Sequence, residues 1–200
     1  YGYLTWHPTS QLSVLVGARY SNDRTTYSQT STGLLIGDTD FTSRSSDHPV
    51  TYLVNPSYKF TDNVMGYVRV ASGFRPGGAN VGVSPGLGAP LTFDPDKLVN
   101  YELGLKTLML DGRMSLDMDA FHIAWSKVHL TSVICGIGFL SNGGKAVSQG
   151  FEASWRFHPL RGLTLWSNAS YTDASLAKDN PTGSVYGLKR DDVAYKDLDD

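Results

Sequence analysis

The chain has 200 residues, of which 12% are aromatic and 18% charged, against roughly 25% charged in an average globular protein. A formal net charge of −2 with no basic patch gives no reason to expect nucleic acid as a partner, and a single cysteine, Cys135, excludes a disulfide frame or a cysteine metal cluster. No apolar run approaches the roughly 18 residues of a helical span, but that does not exclude a membrane crossed by strands, whose signal per segment is much weaker.

In chain order, period-two alternation predicts about eight strands, over 1–7, 11–22, 49–60, 64–74, 97–110, 113–129, 145–158 and 163–176. In the second, Leu12, Val14, Val16, Ala18 and Tyr20 share one face, and Ser13, Gly17 and Arg19 the other. In the fifth, Val99, Tyr101, Leu103, Leu105 and Met109 oppose Asn100, Glu102, Gly104 and Lys106. The sixth opens with Met114, Leu116, Met118 and Ala120 against Ser115, Asp117 and Asp119. Its phase then inverts, because Phe121, Ile123 and Trp125 share parity with Asp119; a β-bulge or exit from an apolar zone would explain that. In the seventh, Phe151, Ala153, Trp155 and Phe157 oppose Glu152, Ser154 and Arg156, and in the eighth Leu163, Leu165 and Ala169 oppose Thr164, Asn168 and Thr172. The first residues are already strand-like and the end, "RDDVAYKDLDD", is polar and acidic, so the chain is expected to be a fragment.

The connections alternate strictly. Four are tight ("PTS", "TDN", "DG" and "PLRG") and rich in turn residues. Those between them are long, at about 22–48, 75–96 and 130–144, and the tail after 176 is a possible fourth. One rim of tight turns and one of long loops is how a membrane barrel is built. Most of the predicted strands run to about 10–14 residues, against roughly 9–11 for a tilted bilayer crossing and a globular mode of about 5–6. Tyr20, Tyr58, Phe60, Phe157 and Tyr171 fall near strand ends, where an interfacial girdle would place them. On this basis Val14, Val16, Leu103, Leu105, Leu116, Phe151, Ala153, Trp155 and Leu165 are expected to face lipid. Arg19, Arg69, Glu102, Lys106, Glu152 and Arg156 then face a polar interior, since a basic residue against hydrocarbon costs about 2–4 kcal/mol at mid-depth. On periodicity alone a soluble sandwich, with these charges on its solvated face, stays open.

Three stretches resemble a known family. "NVMGYVRVASGFRPGGAN" (63–80) is similar to the strand and outer-loop start of TonB-dependent outer-membrane receptors, and "NYELGLKT" with "DGRMSLDMDAFHIAWSKV" (100–128) to their Tyr-Glu-x-Gly-x-Lys strand, periplasmic turn and return strand. "GKAVSQGFEASWRFHPLRGLTLWSNASYTDA" (144–174) resembles their Gly-x-Glu strand, turn and Ser-Tyr-Thr strand. The resemblance implies an all-β, antiparallel transmembrane β-barrel of about 22 strands, of which residues 1–200 are a part holding about eight. It further implies an N-terminal plug inside the barrel, an outer-membrane location in a Gram-negative bacterium, and import of a scarce ligand. Ferric siderophore is the first expectation for that ligand, with vitamin B12, haem or a glycan fragment open. The energy would come from an inner-membrane complex pulling on a TonB box. Against the family pattern these residues are expected to hold neither the plug, the TonB box nor the closing strand, so energy coupling is not expected to be located in them.

The resemblance also implies that Glu102, Lys106, Glu152 and Arg156 meet the plug, although pairing with neighbouring strands is an equal alternative. Arg75, where the strand opens into the 75–96 loop, is a candidate for a two-point hydrogen-bonded pair with an anionic chelate, with Phe74 as an apolar wall and Asn80 beside it. Locking of the loop base is the other role open to Arg75. No cofactor, metal site or catalytic residue is expected. Asp191, Asp192, Asp197, Asp199 and Asp200 lack EF-hand spacing, "NGGK" lacks the phosphate-loop spacing, and the five histidines are scattered. Two competing functions remain: a complete eight-stranded membrane barrel with a structural or adhesive role, and a soluble secreted β-domain that binds or hydrolyses carbohydrate.

Overall fold

A computed structural model describes residues 1–32, 39–83, 88–134 and 136–177. Cys135 and the five aspartates of the acidic tail lie outside the described residues. Eight long strands form one antiparallel meander: β1 (Gly2–Trp6), β2 (Leu12–Tyr20), β5 (Val50–Thr61), β6 (Val64–Arg75), β9 (Asp96–Met109), β10 (Met114–Ser126), β13 (Lys145–Leu160) and β14 (Leu163–Leu176). Their boundaries follow the predicted strands to within a few residues. Each pairs with its neighbours in sequence order along the sheet, with β1 and β14 at the edges. No helix among the described residues is long and apolar enough to cross a membrane.

The tight links gather at one rim. In the turn after β9, Leu110, Asp111 and Gly112 all take positive φ (54°, 54° and 79°), and Arg113 N donates to Leu110 O at 3.1 Å. At the other rim the three long links are not irregular loops. Each folds into its own antiparallel pair: β3 (Asp23–Ser31) with β4 (Thr39–Asp47), β7 (Gly78–Ala79) with β8 (Thr92–Phe93), and β11 (His129–Ile134) with β12 (Ile137–Asn142). A long polar stretch such as "DRTTYSQTS" has no buried face to impose alternation, so it reads as a link although its backbone pairs regularly.

The ladder also decides the phase inversion of the sixth predicted strand. β10 pairs with both β9 and β13 without a register shift from Met114 to Ser126. There is no bulge, so Phe121, Ile123 and Trp125 lie on the same face as Asp117 and Asp119. Bulges occur instead near the tight rim, between Lys59 and Thr61 and between Phe157 and Leu160.

Register carries each face across the sheet. Leu103 aligns with Val68 on one side and Ala120 on the other, and Ala120 aligns with Phe151 and then Tyr171. The nine residues expected to share an apolar face do share it. Among the described residues nothing covers that face: Leu103 is 64% exposed and Phe151 54%. The described residues bury few apolar side chains, and those few, Val83, Val128 and Phe139, lie among the outer hairpins.

Candidate functional site: the polar wall and the outer hairpins

The opposite face of the meander is polar. Arg69 aligns with Glu102, Lys106 with Asp117, Asp119 with Glu152, and Ser115 with Arg156. Arg19, aligned with Thr51, lies on the same side. All six expected inward residues are thus on one wall. Three of them make ion pairs across strands: Arg69 Nη1 lies 3.4 Å from Glu102 Oε1, and Lys106 Nζ 3.4 Å from Asp117 Oδ2. Tyr67 donates its hydroxyl to Glu102 Oε1 at 2.7 Å, and Asn100 Nδ2 donates to Oε2 at 3.1 Å. Arg19 Nε donates to Ser21 Oγ at 3.1 Å. Asp119 and Glu152 face each other directly, an arrangement in which like charges repel. With Asp117, Ser154, Asn168 and Ser170 they line a concavity of about 340 Å³.

Two glycines shape this wall by close approach. A Cβ on Gly104 would overlap the Tyr67 ring, and one on Gly150 would overlap the backbone oxygen of Tyr171 and crowd Phe121. Tyr67 aligns with Gly104 and Phe121 with Gly150, so each aromatic ring lies flat across a neighbour that has no side chain.

Arg75 sits where β6 meets the outer hairpins, and its partner is internal. Its backbone N–H and Nε donate to Asp96 Oδ1 and Oδ2 at 3.1 and 2.8 Å, and Nη2 also bonds Oδ2. Asp96 is fully buried, whereas the Arg75 side chain remains 48% exposed. The guanidinium lies 4.6 Å from the Trp125 ring centre, and His129 Nδ1 is 3.8 Å from Asp96 Oδ2. This is the geometry of a lock at the loop base. Phe74 does not stand beside it. Phe74 aligns with Lys97 and Arg75 with Asp96, so consecutive residues point to opposite faces and the expected joint wall is not formed.

Asn80 is 4% exposed, and its amide is engaged within the protein. Nδ2 donates to Pro90 O at 2.9 Å and to Leu140 O at 2.7 Å, and Oδ1 accepts from Leu140 N at 2.7 Å. Both donors are used, so the side chain ties two hairpins together rather than lining an open surface. Asp94 and Asn142 make a second tie: Asp94 N donates to Asn142 Oδ1 at 2.6 Å, and Asn142 Nδ2 to Asp94 O at 2.8 Å. A third runs from Gly77 N to Asp47 Oδ2 at 3.0 Å. The three outer hairpins are therefore connected into one cluster.

Sequence reasoning missed Asp96, Trp125, Asn142 and the structural use of Asn80. The signal for Trp125 was present: with an unbroken strand its parity puts it on the face of Arg75. The partners of Asn80 lie 10 and 60 residues away, and no local pattern encodes them. Among the described residues no group of His, Cys, Asp and Glu is arranged to hold a metal.

Comparison with known proteins places this wall in a wider context. The pesticin receptor of Yersinia enterocolitica is 35% identical over 163 residues, which is 80% of this chain and 23% of that protein. The metal-pseudopaline receptor CntO of Pseudomonas aeruginosa is 30% identical over 141 residues, 70% of this chain and 19% of that protein. Among solved structures, the ferric yersiniabactin uptake receptor FyuA from Yersinia pestis superposes with a TM-score of 0.74 at 28% identity, over 89% of this chain and 26% of that one. The ferric-catecholate import receptor Fiu from E. coli shares the fold, with a TM-score of 0.68 at 19% identity over 93% of this chain and 29% of that one. The chain thus spans about a quarter of the length of such relatives. The family model for the TonB dependent receptor-like β-barrel matches residues 1–195, a family of transport receptors rather than enzymes. The chain belongs to the TonB-dependent receptor β-barrel family.

Proposed function

We propose that this chain is a stretch of barrel wall from an outer-membrane receptor that takes up a metal chelate, a ferric siderophore, with energy from the TonB system. The observation that carries the proposal is the two-faced meander. Eight strands present a largely apolar face that no other described residue covers and a polar face on the other side, between one rim of tight turns and one of folded hairpins. A soluble sandwich would cover the apolar face with a second sheet. The carbohydrate-binding and adhesive alternatives have no comparable support, whereas relatives named for a metal chelate and for ferric yersiniabactin favour a chelated metal as cargo.

In this reading Val14, Val16, Leu103, Leu105, Leu116, Phe151, Ala153, Trp155 and Leu165 meet outer-membrane lipid. Arg19, Arg69, Glu102, Lys106, Glu152 and Arg156 face the interior that holds the receptor's own plug. The polar concavity that Asp119 and Glu152 line with Ser154, Asn168 and Ser170 supports that assignment, because its lining offers hydrogen-bonding groups to a polar body seated against the wall. Arg75 holds the base of the hairpin cluster, and the exposed half of its side chain is left to meet an anionic chelate entering from outside.

The test uses the full-length receptor in an iron-starved strain that lacks its own siderophore receptors. TonB-dependent accumulation of labelled iron from a ferric siderophore is the expected result. Outer-membrane insertion with no accumulation from any ferric chelate would refute the import role. Cysteines at Ala153 and Leu105 should be quenched by a bilayer-dissolved probe, and protection of both would refute the lipid-facing assignment.

A further inference from the structure

His129 opens β11, and the surroundings of its two ring nitrogens differ. Nε2 lies 2.7 Å from Asp94 O. A carbonyl oxygen only accepts, so Nε2 carries the hydrogen, and in the neutral ring Nδ1 keeps a lone pair. Nδ1 is the nitrogen that lies 3.8 Å from Asp96 Oδ2. A lone pair and a carboxylate offer each other no hydrogen bond, whereas a proton on Nδ1 would give that carboxylate a cation. The His129 side chain is 7% exposed, and Phe93 packs against it edge-on with ring centres 4.8 Å apart, so the ring has little room to turn away.

The charged groups tied to this ring and its partners come from several elements. Arg75 on β6 is bonded to Asp96 on β9. Asp94, just before β9, has its carboxylate 3.1 Å from Lys127 Nζ, just before β11. Asn142, opposite His129 on β12, is neutral. Asp47 on β4 accepts from Gly77 N. Arg75 and Lys127 are thus each matched by a carboxylate, and Asp47 adds one more negative charge. With His129 neutral, these groups carry no surplus of positive charge. Arg75 presents its exposed half to the outside, but its charge is already balanced by Asp96, and an anion arriving there meets an ion pair rather than a free cation.

We propose that His129 is a positioning residue that couples anion capture at Arg75 to a proton: as the anion arrives, Nδ1 takes a proton from water and supplies Asp96 with a second cation. Arg75 then has net charge to offer an anionic chelate while the buried carboxylate stays paired. By linkage the effect is reciprocal, so acid strengthens anion capture and a captured anion favours the protonated ring. The step moves one proton from solvent to Nδ1 and breaks no covalent bond of the protein. The inference rests on the reading of Arg75 as the cation that meets the chelate.

Trp125 makes the coupling measurable. Its ring centre lies 4.6 Å from the Arg75 guanidinium carbon, so quenching of its fluorescence by iodide reads the anion concentration beside Arg75, and quenching by acrylamide reads access alone. The experiment uses the full-length receptor, with the signal of its Trp125→Phe variant subtracted, from about pH 8 to about pH 5, the interval in which an imidazole gains its proton. A unit charge about 7 Å away across a largely aqueous path changes local anion concentration about two- to threefold. Iodide quenching should rise by that factor on acidification while acrylamide quenching stays level. His129→Gln keeps an N–H for Asp94 O and should abolish the rise, whereas Lys127→Gln should keep it. A flat iodide profile in the wild type, an undiminished rise in His129→Gln, or loss of the rise in Lys127→Gln would each overturn the proposal. Iodide needs no transport, which separates the two levels. A receptor that imports a ferric siderophore but shows no acid rise refutes the proton coupling alone, whereas an acid rise in one that imports no ferric chelate refutes the uptake reading and leaves the coupling in place.

Discussion

Replacing Asn80 by Asp tests the hairpin cluster with an almost isosteric change. The carboxylate keeps the oxygen that accepts from Leu140 N at 2.7 Å, but it loses both N–H donors to Pro90 O and Leu140 O, at 2.9 and 2.7 Å. At 4% exposure the residue has little access to water to replace them. Two lost bonds at roughly 1–1.5 kcal/mol each make about 2–3 kcal/mol, and an oxygen now aimed at two carbonyls adds to that. Opening of the cluster should therefore become at least about 30- to 150-fold more frequent. Hydrogen–deuterium exchange in the full-length receptor reads this at the amides of Asn80 and Leu140, which bond Leu91 O and Asn80 Oδ1. Exchange on β9 and β10 near mid-strand should not change, because the ladder there does not involve the cluster. Unaltered exchange at both Asn80 and Leu140 would refute the claim that this side chain joins the hairpins.

Two further predictions address the wall. Leu103→Arg, at the middle of the apolar face, should destabilise the folded barrel by about 2–4 kcal/mol in vesicle refolding titrations; Ser154→Arg on the polar face should have little effect, and equal losses would contradict the two-faced assignment. Gly104→Ala should cost about 1–3 kcal/mol by overpacking against Tyr67, and Tyr67→Ala should restore most of that in the same titration. Gly150→Ala should not be restored by Phe121→Ala, because the main obstruction there is the backbone oxygen of Tyr171.

Much of this architecture was legible in the chain itself. A strand in contact with two different media must alternate between them, so the order of Leu103, Glu102, Leu105 and Lys106 already states which residues share a face. The spacing of "DG" and "PLRG" against the long links states which rim is which. Both signals are local: period two is a property of the backbone pleat, and a tight turn is made by the residues within it. The phase inversion at Phe121 was visible but ambiguous, since a bulge and a change of surroundings leave the same mark in one dimension. Only the unbroken pairing of β10 with both neighbours removes the bulge.

What tertiary structure alone decided is the use of side chains at the outer rim. Arg75 and Asp96 are 21 residues apart, and Asn80 and Leu140 are 60 apart. Such partners meet only because the meander returns its strands to the same rim, and nothing in the intervening sequence records the meeting. The three long links show the same limit: a stretch as polar as "DRTTYSQTS" carries no alternation of apolar residues to read, so its order is set by backbone pairing, and the hairpins are joined by ties such as Asn142 to Asp94. Sequence determined the two faces and the two rims because solvent contrast and turn geometry act residue by residue. The lock depended on register between β6 and β9 and the cluster on the meeting of separate hairpins, which only the folded chain supplies.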